Sequence, residues 1–527
     1  MFSGRKKRCE VGEVFFLYGP SGSGKSSLGR ELAQKLGLNF CDLDAEIEAQ
    51  AGKSIATIFA EEGESGFRIR EKQILQQTVA ARPGVVALGG GALLDPESRA
   101  LVTRQGDVLC LTASLETLLE RLHQEHDRPL LEGDRREKMI HILGERSGHY
   151  DSFPMKLDTG GLILEQAVRE AQIIMGAFQI HGMGLSYDVR IKKGSLKDVG
   201  TALRVRDLLG PMVVVSDKNV GRLYSGRVGA SLRKVNYEEY GMLFPAGEVN
   251  KTLETVAQLW DVFVRARMER KSTVIALGGG VVGDLAGFAA ATFLRGVPWV
   301  NVPTSLLAMV DASVGGKTGA NLPQGKNLIG AFHAPRLVHV DPEVLSTLPD
   351  VELRNGLAEV VKTGVIGDPG LFARCQEGES AVRSNLDELV RRSIAVKIDI
   401  IKEDPYENGI REALNLGHTV GHAVEMVSDF GLHHGEAVSI GMVAEARLSQ
   451  RMGLAENGLV ERLTEALKGL GLPVQIPEDM SRDDLIAVMK LDKKRAEGKL
   501  RFSLPIRVGD VQTGIEINET EVVELLG

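Results

Sequence analysis

Gly19-Pro20-Ser21-Gly22-Ser23-Gly24-Lys25-Ser26 matches G-x-x-x-x-G-K-[ST] at every fixed position. Glycines so spaced let successive backbone N–H groups face phosphate at a helix N-terminus. The Lys25 ammonium then reaches the outer phosphates of a nucleoside triphosphate, and the Ser26 hydroxyl holds Mg²⁺. Gly22, Ser23, Gly24, Lys25, Ser26 and Ser27 are therefore the candidate nucleotide contacts. Asp42-Leu43-Asp44 follows, and strand alternation predicts both carboxylates on one face. One would orient the metal's water shell while the other accepts a hydrogen bond from a substrate hydroxyl. Arg68 and Glu71 come next in GESGFRIRE, and Arg128 sits in HQEHDRPLLEG, a charged stretch that reads as a lid.

A second set of chemical groups lies further on. ALGGG occurs twice, closing the apolar runs that begin at Val85 and Val274. Each run reads as a buried strand that delivers a glycine triplet to its C-terminal tip: Gly89-Gly90-Gly91, then Gly278-Gly279-Gly280. Only the second leads into Val281-Val282-Gly283-Asp284, a tight turn of the kind that brings backbone close to a dinucleotide pyrophosphate, although its spacing is not G-x-G-x-x-G. No lysine-bearing phosphate loop precedes it, so the two stretches are not copies of one module. Asp311, Lys317, Lys326 and Asn327 then crowd a glycine-rich stretch with cations suited to an anionic ligand. Glu359 and Lys362 share the helical pattern LRNGLAEVVKTG. His418, His422, His433 and His434 are four of the chain's eleven histidines, a cluster with metal-site composition. Spacing alone makes His418 and His422, one helical turn apart, the ligand pair.

These groups need scaffolds to hold them. VFFLYGPSGSGKSSLGRELAQKLGL runs strand, loop, helix, with Leu28, Leu32 and Leu36 forming one apolar stripe. A closing helix is expected over about 162–178. PMVVVSDKNV and STVIALGGGVVGD are strand-then-loop signals alternating with helical patterns, which predicts a second α/β sheet. A chain of 527 residues exceeds one ordinary domain. The net charge of −8 excludes the basic face that nucleic-acid binding requires. Arg5-Lys6-Lys7-Arg8 reads as a solvated tail. The four cysteines include no CxxC pair, which suits a reducing compartment and excludes a cysteine zinc site or a disulfide framework. No apolar run reaches about 18 residues without a charge or proline, and the N-terminus lacks the apolar core of a signal peptide. The expectation is a cytoplasmic enzyme with no membrane span.

Taken in order, G-x-x-x-x-GKS, DLD, GE-x-x-FR, ALGGGA and RPLL resemble shikimate kinase, over residues 12 to about 176. The resemblance implies a phosphate-loop kinase fold, a parallel sheet with helices on both faces, and Mg²⁺-dependent transfer of phosphate from ATP to shikimate. It makes Lys25, Asp44 and Arg128 catalytic, with Arg128 also on ATP, and Asp42 a holder of Mg²⁺ through water. It places shikimate on Asp44, Arg68, Gly89, Gly90, Gly91 and Arg146. Where the family reads R-x-P-L-Y, this chain has Arg146-Ser147-Gly148-His149-Tyr150. Two arginines and an aspartate suit a carboxylated polyol; another small-molecule kinase, such as a gluconate kinase, is the alternative.

From about Tyr187 to the C-terminus, GE-x-x-K (Glu248, Lys251), GGGVVGD, PTSLLAMVD, GGKTG, GKN and GHT-x-GHA resemble 3-dehydroquinate synthase. The resemblance implies an NAD-binding α/β domain followed by a mainly helical metal- and substrate-binding domain. It implies conversion of 3-deoxy-D-arabino-heptulosonate 7-phosphate to 3-dehydroquinate and phosphate, with NAD⁺ reduced and reoxidised in each turnover. It puts Zn²⁺ or Co²⁺ on Glu359, His418 and His434, and makes His422 catalytic, against the spacing argument. It assigns NAD contacts to Asp217, Asn219, Glu248, Lys251, Gly279, Gly280, Val281, Asp284, Thr304, Ser305, Asp311, Lys317, Lys326, Thr347 and Leu348. Substrate contacts fall on Lys317, Asn327, Lys362, Lys397, Arg411, Asn415, His422, Lys493 and Lys494, and on Arg295 across a homodimer interface. Lys317, Lys362, Glu407, Arg411, Asn415 and His422 are the catalytic set. The expected organisation is a kinase domain at 1–176, a linker at 177–186, an NAD-binding domain at 187–344 and a helical domain at 345–527. A related sugar-phosphate cyclase or polyol dehydrogenase is the alternative for the second part. A nucleotide-sensing module attached to one active enzyme is the alternative for the whole.

Overall fold

In a computed structural model of the chain, which describes residues 13–81, 84–123, 134–407, 409–429, 431–495, 500–517 and 522, the run VFFLY is buried at every position. Continuous burial, rather than alternation, marks a parallel strand covered on both faces. This strand, β1 (Val14–Tyr18), is the centre of a sheet with β2 (Asn39–Asp42), β3 (Gly84–Ala87), β4 (Gly106–Thr112) and β5 (Met155–Asp158). The order is β2-β3-β1-β4-β5 and every pairing is parallel. Phe16, Tyr18 and Val86 face one core, and Phe15, Leu17, Leu28 and Leu32 the other. The chain leaves β1 for one side of the sheet and returns on the other, so the carboxyl end of β1 is the switch point where α/β sheets bind ligands.

Two local expectations fail here. Strand β2 ends at Asp42, and a helix, Leu43–Ala51, starts at once. Asp42 caps it, accepting from the backbone N–H groups of Asp44 and Ala45 at 3.1 and 3.5 Å. An aspartate at the cap with acidic residues in the first turn favours helix over alternation, so the two carboxylates do not share a strand face. The closing helix spans Leu164–Met175 and stops at Gly176 (φ 60°). Residues 177–180, expected as helix end and linker, form a fully buried strand instead.

The chain divides into two compact units, Met1–Gln179 with Leu203–Asp207, and Ile180–Ala202 with Leu208–Gly527. A short strand, β6 (Ala177–Ile180), spans the division; in the second unit the strands are β7 (Tyr187–Ile191), β8 (Leu209–Asp217), β9 (Glu239–Phe244), β10 (Ser272–Gly278), β11 (Trp299–Pro303), a hairpin of β12 (Lys317–Leu322) and β13 (Gly325–Phe332), and β14 (Leu337–Val340). Within this unit the sheet order is β7-β14-β11-β10-β8-β9. Strand β9 lies outside β8, whereas β10 lies on the inner side, so this sheet's switch point is at the carboxyl ends of β8 and β10. Those ends carry Asp217 and the second glycine triplet.

After β14 the second unit is mainly helical, closed by the hairpin β15 (Leu500–Arg507) and β16 (Asp510–Ile517). Helices Asp350–Gly367, His418–Val427 and His434–Arg451 pack together, and the last two meet backbone to backbone. A Cβ on Gly441 would lie 2.0 Å from the Gly417 carbonyl oxygen, so only glycine permits the approach. Among the described residues no helix is long and apolar enough to cross a membrane.

Candidate active sites

The phosphate loop follows β1 directly. Gly19, Gly22 and Gly24 take positive φ of 134°, 80° and 90°, and helix Lys25–Lys35 starts from Gly24 with no side-chain cap, the kind of helix start that binds an anion. Lys25 Nζ donates to the carbonyls of Gly19 and Pro20, both at 2.9 Å, which holds the ammonium over the loop. Ser26 Oγ donates to Asp42 Oδ2 at 2.5 Å, so the cap of the next helix is also the partner of the metal-binding hydroxyl. The loop is braced from behind by residues that no local pattern singles out. Arg121 donates to Thr159 Oγ1 at 2.9 Å and to the Thr159 carbonyl at 2.8 Å, and Thr159 donates to the Ser23 carbonyl at 3.2 Å.

The first glycine triplet, which follows β3, meets Asp44, Arg68 and Glu71. A Cβ on Gly89 would lie 2.6 Å from Glu71 Oε1 and 3.1 Å from Asp44 Oδ1, and one on Gly91 would lie 2.5 Å from the Arg68 guanidinium. Arg68 pairs with Glu71 at 2.6 Å, and burial pushes the Glu71 carboxyl up against the pull of that guanidinium. Tyr150 and Tyr18 both donate to the Gly90 carbonyl, at 2.8 and 3.2 Å. Arg146 lies within electrostatic reach of Tyr18, Tyr150 and Glu71, and Glu71 also pairs with Arg68. His149 packs edge-on to Tyr18 and Phe153 at 5.7 and 5.4 Å between centroids. Arg128 lies outside the described residues.

At the second switch point, Asp217 caps helix Lys218–Lys234, accepting from Asn219 and Val220 N–H groups at 2.8 and 3.0 Å. Gly279 is the cap of helix Gly280–Thr292, which has no side-chain cap, so its first N–H groups, beginning with Gly280 and Val281, are open to a phosphate. Ser305 stands beside Gly279, and the Thr304 N–H is bonded to the Gly278 carbonyl at 3.0 Å. Lys251 is buried and pairs with Asp284 at 2.6 Å, and it donates to Asn327 Oδ1 at 2.5 Å. Burial raises the Asp284 carboxyl, opposed by Lys251. Asn321 links Glu248, at 2.8 Å, to the Asn327 N–H, at 2.9 Å. Thr347 and Tyr224 share a 2.6 Å hydrogen bond, and Leu348 ends the turn that carries Thr347.

Glu359, His418 and His434 each present one ligand atom, all within 4.8 Å of one another. His418 Nε2 is 3.9 Å and His434 Nε2 3.6 Å from Glu359 Oε1. The other ring nitrogens point away: His418 Nδ1 meets the Leu416 carbonyl at 3.2 Å, and His434 Nδ1 meets Glu425 Oε2 at 3.2 Å. Both Glu359 oxygens are buried without a hydrogen-bond partner, although Lys362 forms an ion pair with one of them. Burial would raise the Glu359 carboxyl, but Lys362 and the two histidines outweigh it and hold it well below the usual range. Burial, with the Lys362 charge, pushes His418 down to about 3, so its ring is neutral. Burial also opposes a proton on His434, yet the two carboxylates raise it to about 9. That proton stands where a cation's charge would. A neutral nitrogen, an orphaned carboxylate and two oriented rings are the donor set of a divalent metal site. The pair suggested by spacing is corrected to this extent: His422 is exposed and its ring is 5.1 Å from His418, but it is not in the converging set.

Cations gather around this centre. Lys397 donates to Asp311 Oδ1 and to its carbonyl, each at 2.6 Å, and it feels the charges of Lys362 and Arg411. Burial and those cations push its ammonium down. Arg411 donates to the Pro405 carbonyl at 2.6 Å, and Lys317 pairs with Glu407 at 2.5 Å. Lys326 pairs with Glu425 at 2.9 Å. Asn415 is exposed on the turn before His418. Arg295 is exposed on a turn where it and Leu294 both take positive φ, 66° and 49°, and it is not joined to the other groups. The side chains of Lys493 and Lys494 lie outside the described residues. Sequence reasoning missed Arg121, Glu425 and Glu445. Glu445 is fully buried and accepts from the Gly417 N–H at 2.5 Å and the Val420 N–H at 3.4 Å, fixing the helix start that carries His418.

The shikimate kinase family model matches residues 21–172, and models of the 3-dehydroquinate synthase N-terminal and C-terminal parts match residues 241–355 and 356–495. A 3-dehydroquinate synthase of Synechocystis sp. is 45% identical over 348 residues, covering 65% of this chain and 96% of that protein. One of Desulforamulus reducens is 42% identical over 358 residues, covering 67% and 99%. Among solved structures, a 2-deoxy-scyllo-inosose synthase complexed with carbaglucose-6-phosphate, NAD⁺ and Co²⁺ aligns with a TM-score of 0.61 at 27% identity, over 66% of this chain and 99% of that one. A 2-epi-5-epi-valiolone synthase from Streptomyces hygroscopicus with NAD⁺ and Zn²⁺ bound aligns with a TM-score of 0.59 at 30% identity, over 65% and 96%.

Proposed function

We propose, for a chain that belongs to the 3-dehydroquinate synthase family and carries a shikimate kinase domain ahead of it, a division of its residues between two self-contained sites. Its two activities are ATP-dependent phosphorylation of shikimate and the conversion of 3-deoxy-D-arabino-heptulosonate 7-phosphate to 3-dehydroquinate and phosphate. In the kinase site, N–H groups of Gly22, Ser23 and Gly24 and of the helix start cradle the phosphates, and Lys25 stabilises charge on the transferring phosphoryl group. Ser26 and Asp42 hold Mg²⁺, which supplies charge neutralisation between the phosphates. Asp44 accepts a hydrogen bond from the attacking hydroxyl, while Arg68 and Arg146 bind the shikimate carboxylate against the glycine triplet. Arg128 binds ATP.

In the synthase site, Glu359, His418 and His434 hold Zn²⁺ or Co²⁺. Asp217, Asn219, Lys251, Asp284 and the Gly279-Gly280-Val281 turn hold NAD⁺, with Glu248, Thr304, Ser305, Asp311, Lys317, Lys326, Thr347 and Leu348 completing its contacts. When bound, the metal ion supplies Lewis acidity and NAD⁺ a reversible hydride acceptor. Lys317, Asn327 and His422 hold the phosphate that leaves. Lys397 and Arg411, buried cations within each other's field, bind the substrate carboxylate, and Lys362, Asn415, Glu407 and Lys493 or Lys494 complete the substrate's surroundings. Their presence favours the carboxylated heptulosonate over a neutral sugar phosphate, the substrate class of the alternative cyclase. The observation that carries the synthase reading is the convergence of Glu359, His418 and His434 on one point. Domain limits of 1–176, 187–344 and 345–527, a homodimer in which Arg295 reaches the partner's site, and a cytoplasmic location complete the proposal. Chelator treatment tests it: after EDTA is removed, Zn²⁺ or Co²⁺ should restore synthase activity, and Mg²⁺ alone only the kinase. A metal-stripped protein that keeps full synthase activity would overturn the metal assignment.

A further inference from the structure

His434 reaches Glu359 through one ring nitrogen, and what holds the other decides whether that nitrogen can bind a metal. Glu425 Oε2 lies 3.2 Å from His434 Nδ1. An ionised carboxylate only accepts, so Nδ1 keeps its hydrogen, and the proton that a metal displaces is the one on Nε2, which lies 3.6 Å from Glu359 Oε1 and whose lone pair is then free to bind. For His418 the same service comes from the Leu416 carbonyl, which is fixed backbone. Glu425 is a side chain, and it needs an anchor of its own. It stands two turns after His418 on helix His418–Val427, so one face of that helix offers both a histidine and the group that orients the next one. Its other oxygen accepts from Lys326 Nζ at 2.9 Å. Lys326 belongs to β13, and the next residue, Asn327, accepts from Lys251, which pairs with Asp284 at the nucleotide turn.

We propose that Glu425 is a positioning residue for His434 at the metal centre, and that its ion pair with Lys326 ties the β12–β13 hairpin to that centre. The proposal rests on His434 being a metal ligand. A hydrogen-bonded carboxylate behind a histidine ligand sets tautomer and ring angle, and removing such a partner typically weakens metal binding 10–100-fold. The Lys326 pair is partly exposed and contributes less, about threefold.

The test is a zinc titration of the metal-stripped full chain against a chromophoric chelator, with circular dichroism confirming that each variant is folded. Glu425→Ala should bind zinc about 10–100-fold more weakly. Glu425→Gln, whose amide oxygen still accepts from Nδ1–H, should recover part of the loss, and Lys326→Met should weaken binding only about threefold. The visible spectrum of the Co²⁺-loaded protein should change in Glu425→Ala and return towards the unaltered form in Glu425→Gln, which a loss of stability alone would not produce. If Glu425→Ala binds zinc within about twofold of the unaltered chain while His434→Ala is strongly weakened, this proposal falls and the ligand set stands. If His434→Ala is itself unchanged, the ligand set falls, and this proposal with it.

Discussion

Replacing Gly441 by alanine should damage the metal site without placing any atom in it. The added Cβ would lie 2.0 Å from the Gly417 carbonyl oxygen, 2.8 Å from its carbon and 2.9 Å from the Gly421 nitrogen. All three are backbone atoms, so no side chain can swing aside. Restoring an ordinary carbon–oxygen contact of about 3.3 Å requires helices His418–Val427 and His434–Arg451 to part by roughly 1 Å. Each of these helices begins with one of the proposed ligands. Metal–ligand distances tolerate about 0.2 Å, so that shift breaks the coordination geometry unless the fold absorbs it elsewhere. Overpacking of this kind costs about 1–3 kcal/mol. If the loss falls on the site, zinc affinity drops roughly 5–150-fold, with 1.4 kcal/mol counted as one factor of ten. The assay is zinc competition with a chelator together with the melting temperature, and shikimate-dependent ADP formation serves as the internal control. Gly226→Ala, in helix Lys218–Lys234 with nothing within 4 Å of the new Cβ, should leave zinc binding alone and stabilise the second unit by about 0.4–1 kcal/mol. A Gly441→Ala protein with unchanged zinc affinity and melting temperature would refute the reasoning, because the helices would then not be held at contact distance.

Tyr150→Phe removes the 2.8 Å hydrogen bond to the Gly90 carbonyl and should raise the KM for shikimate by up to about tenfold, the equivalent of one hydrogen bond of 0.5–1.5 kcal/mol; an unchanged KM would mean that the triplet is positioned without it. Burial pushes the thiols of Cys375 and Cys110 up to about 12 and 11, so alkylation at pH 7–8 should leave both unmodified by mass spectrometry until the chain unfolds. Gly148→Ala, in helix Arg135–Asp151 with open space around the new Cβ, should stabilise the kinase unit by about 0.5–1 kcal/mol, read as a rise in its melting temperature.

The phosphate loop was legible because its spacing encodes its own geometry: three glycines at positive φ, a lysine and a hydroxyl all fall within eight residues. The parallel sheets were legible because runs such as VFFLY and VIALG are apolar without alternation. The two ALGGG stretches were separable because no lysine-bearing phosphate loop precedes the second and only the second leads into VVGD; in the structure Gly279 caps a helix there, while the first triplet turns under Tyr150. Local competition misled the reading at Asp42, where helix capping overruled strand alternation, and at Ala177, where four buried residues after Gly176 make a strand. The metal donors could not be ranked by spacing, since Glu359 and His434 come from helices far from each other in sequence. His422 satisfied the helical rule, but its side chain is exposed. Arg121 against Thr159, and Glu425 against His434, are tertiary contacts that leave no periodic trace.

The claim that two independent active sites share one chain is tested most directly by assaying a single preparation of Lys25→Met for both activities. The lysine donates to the carbonyls of Gly19 and Pro20 in its own loop, and its charge serves phosphoryl transfer. Shikimate-dependent ADP formation should be abolished, while formation of 3-dehydroquinate stays within about twofold of the unaltered protein. A collapse of both activities in a folded protein would contradict the account.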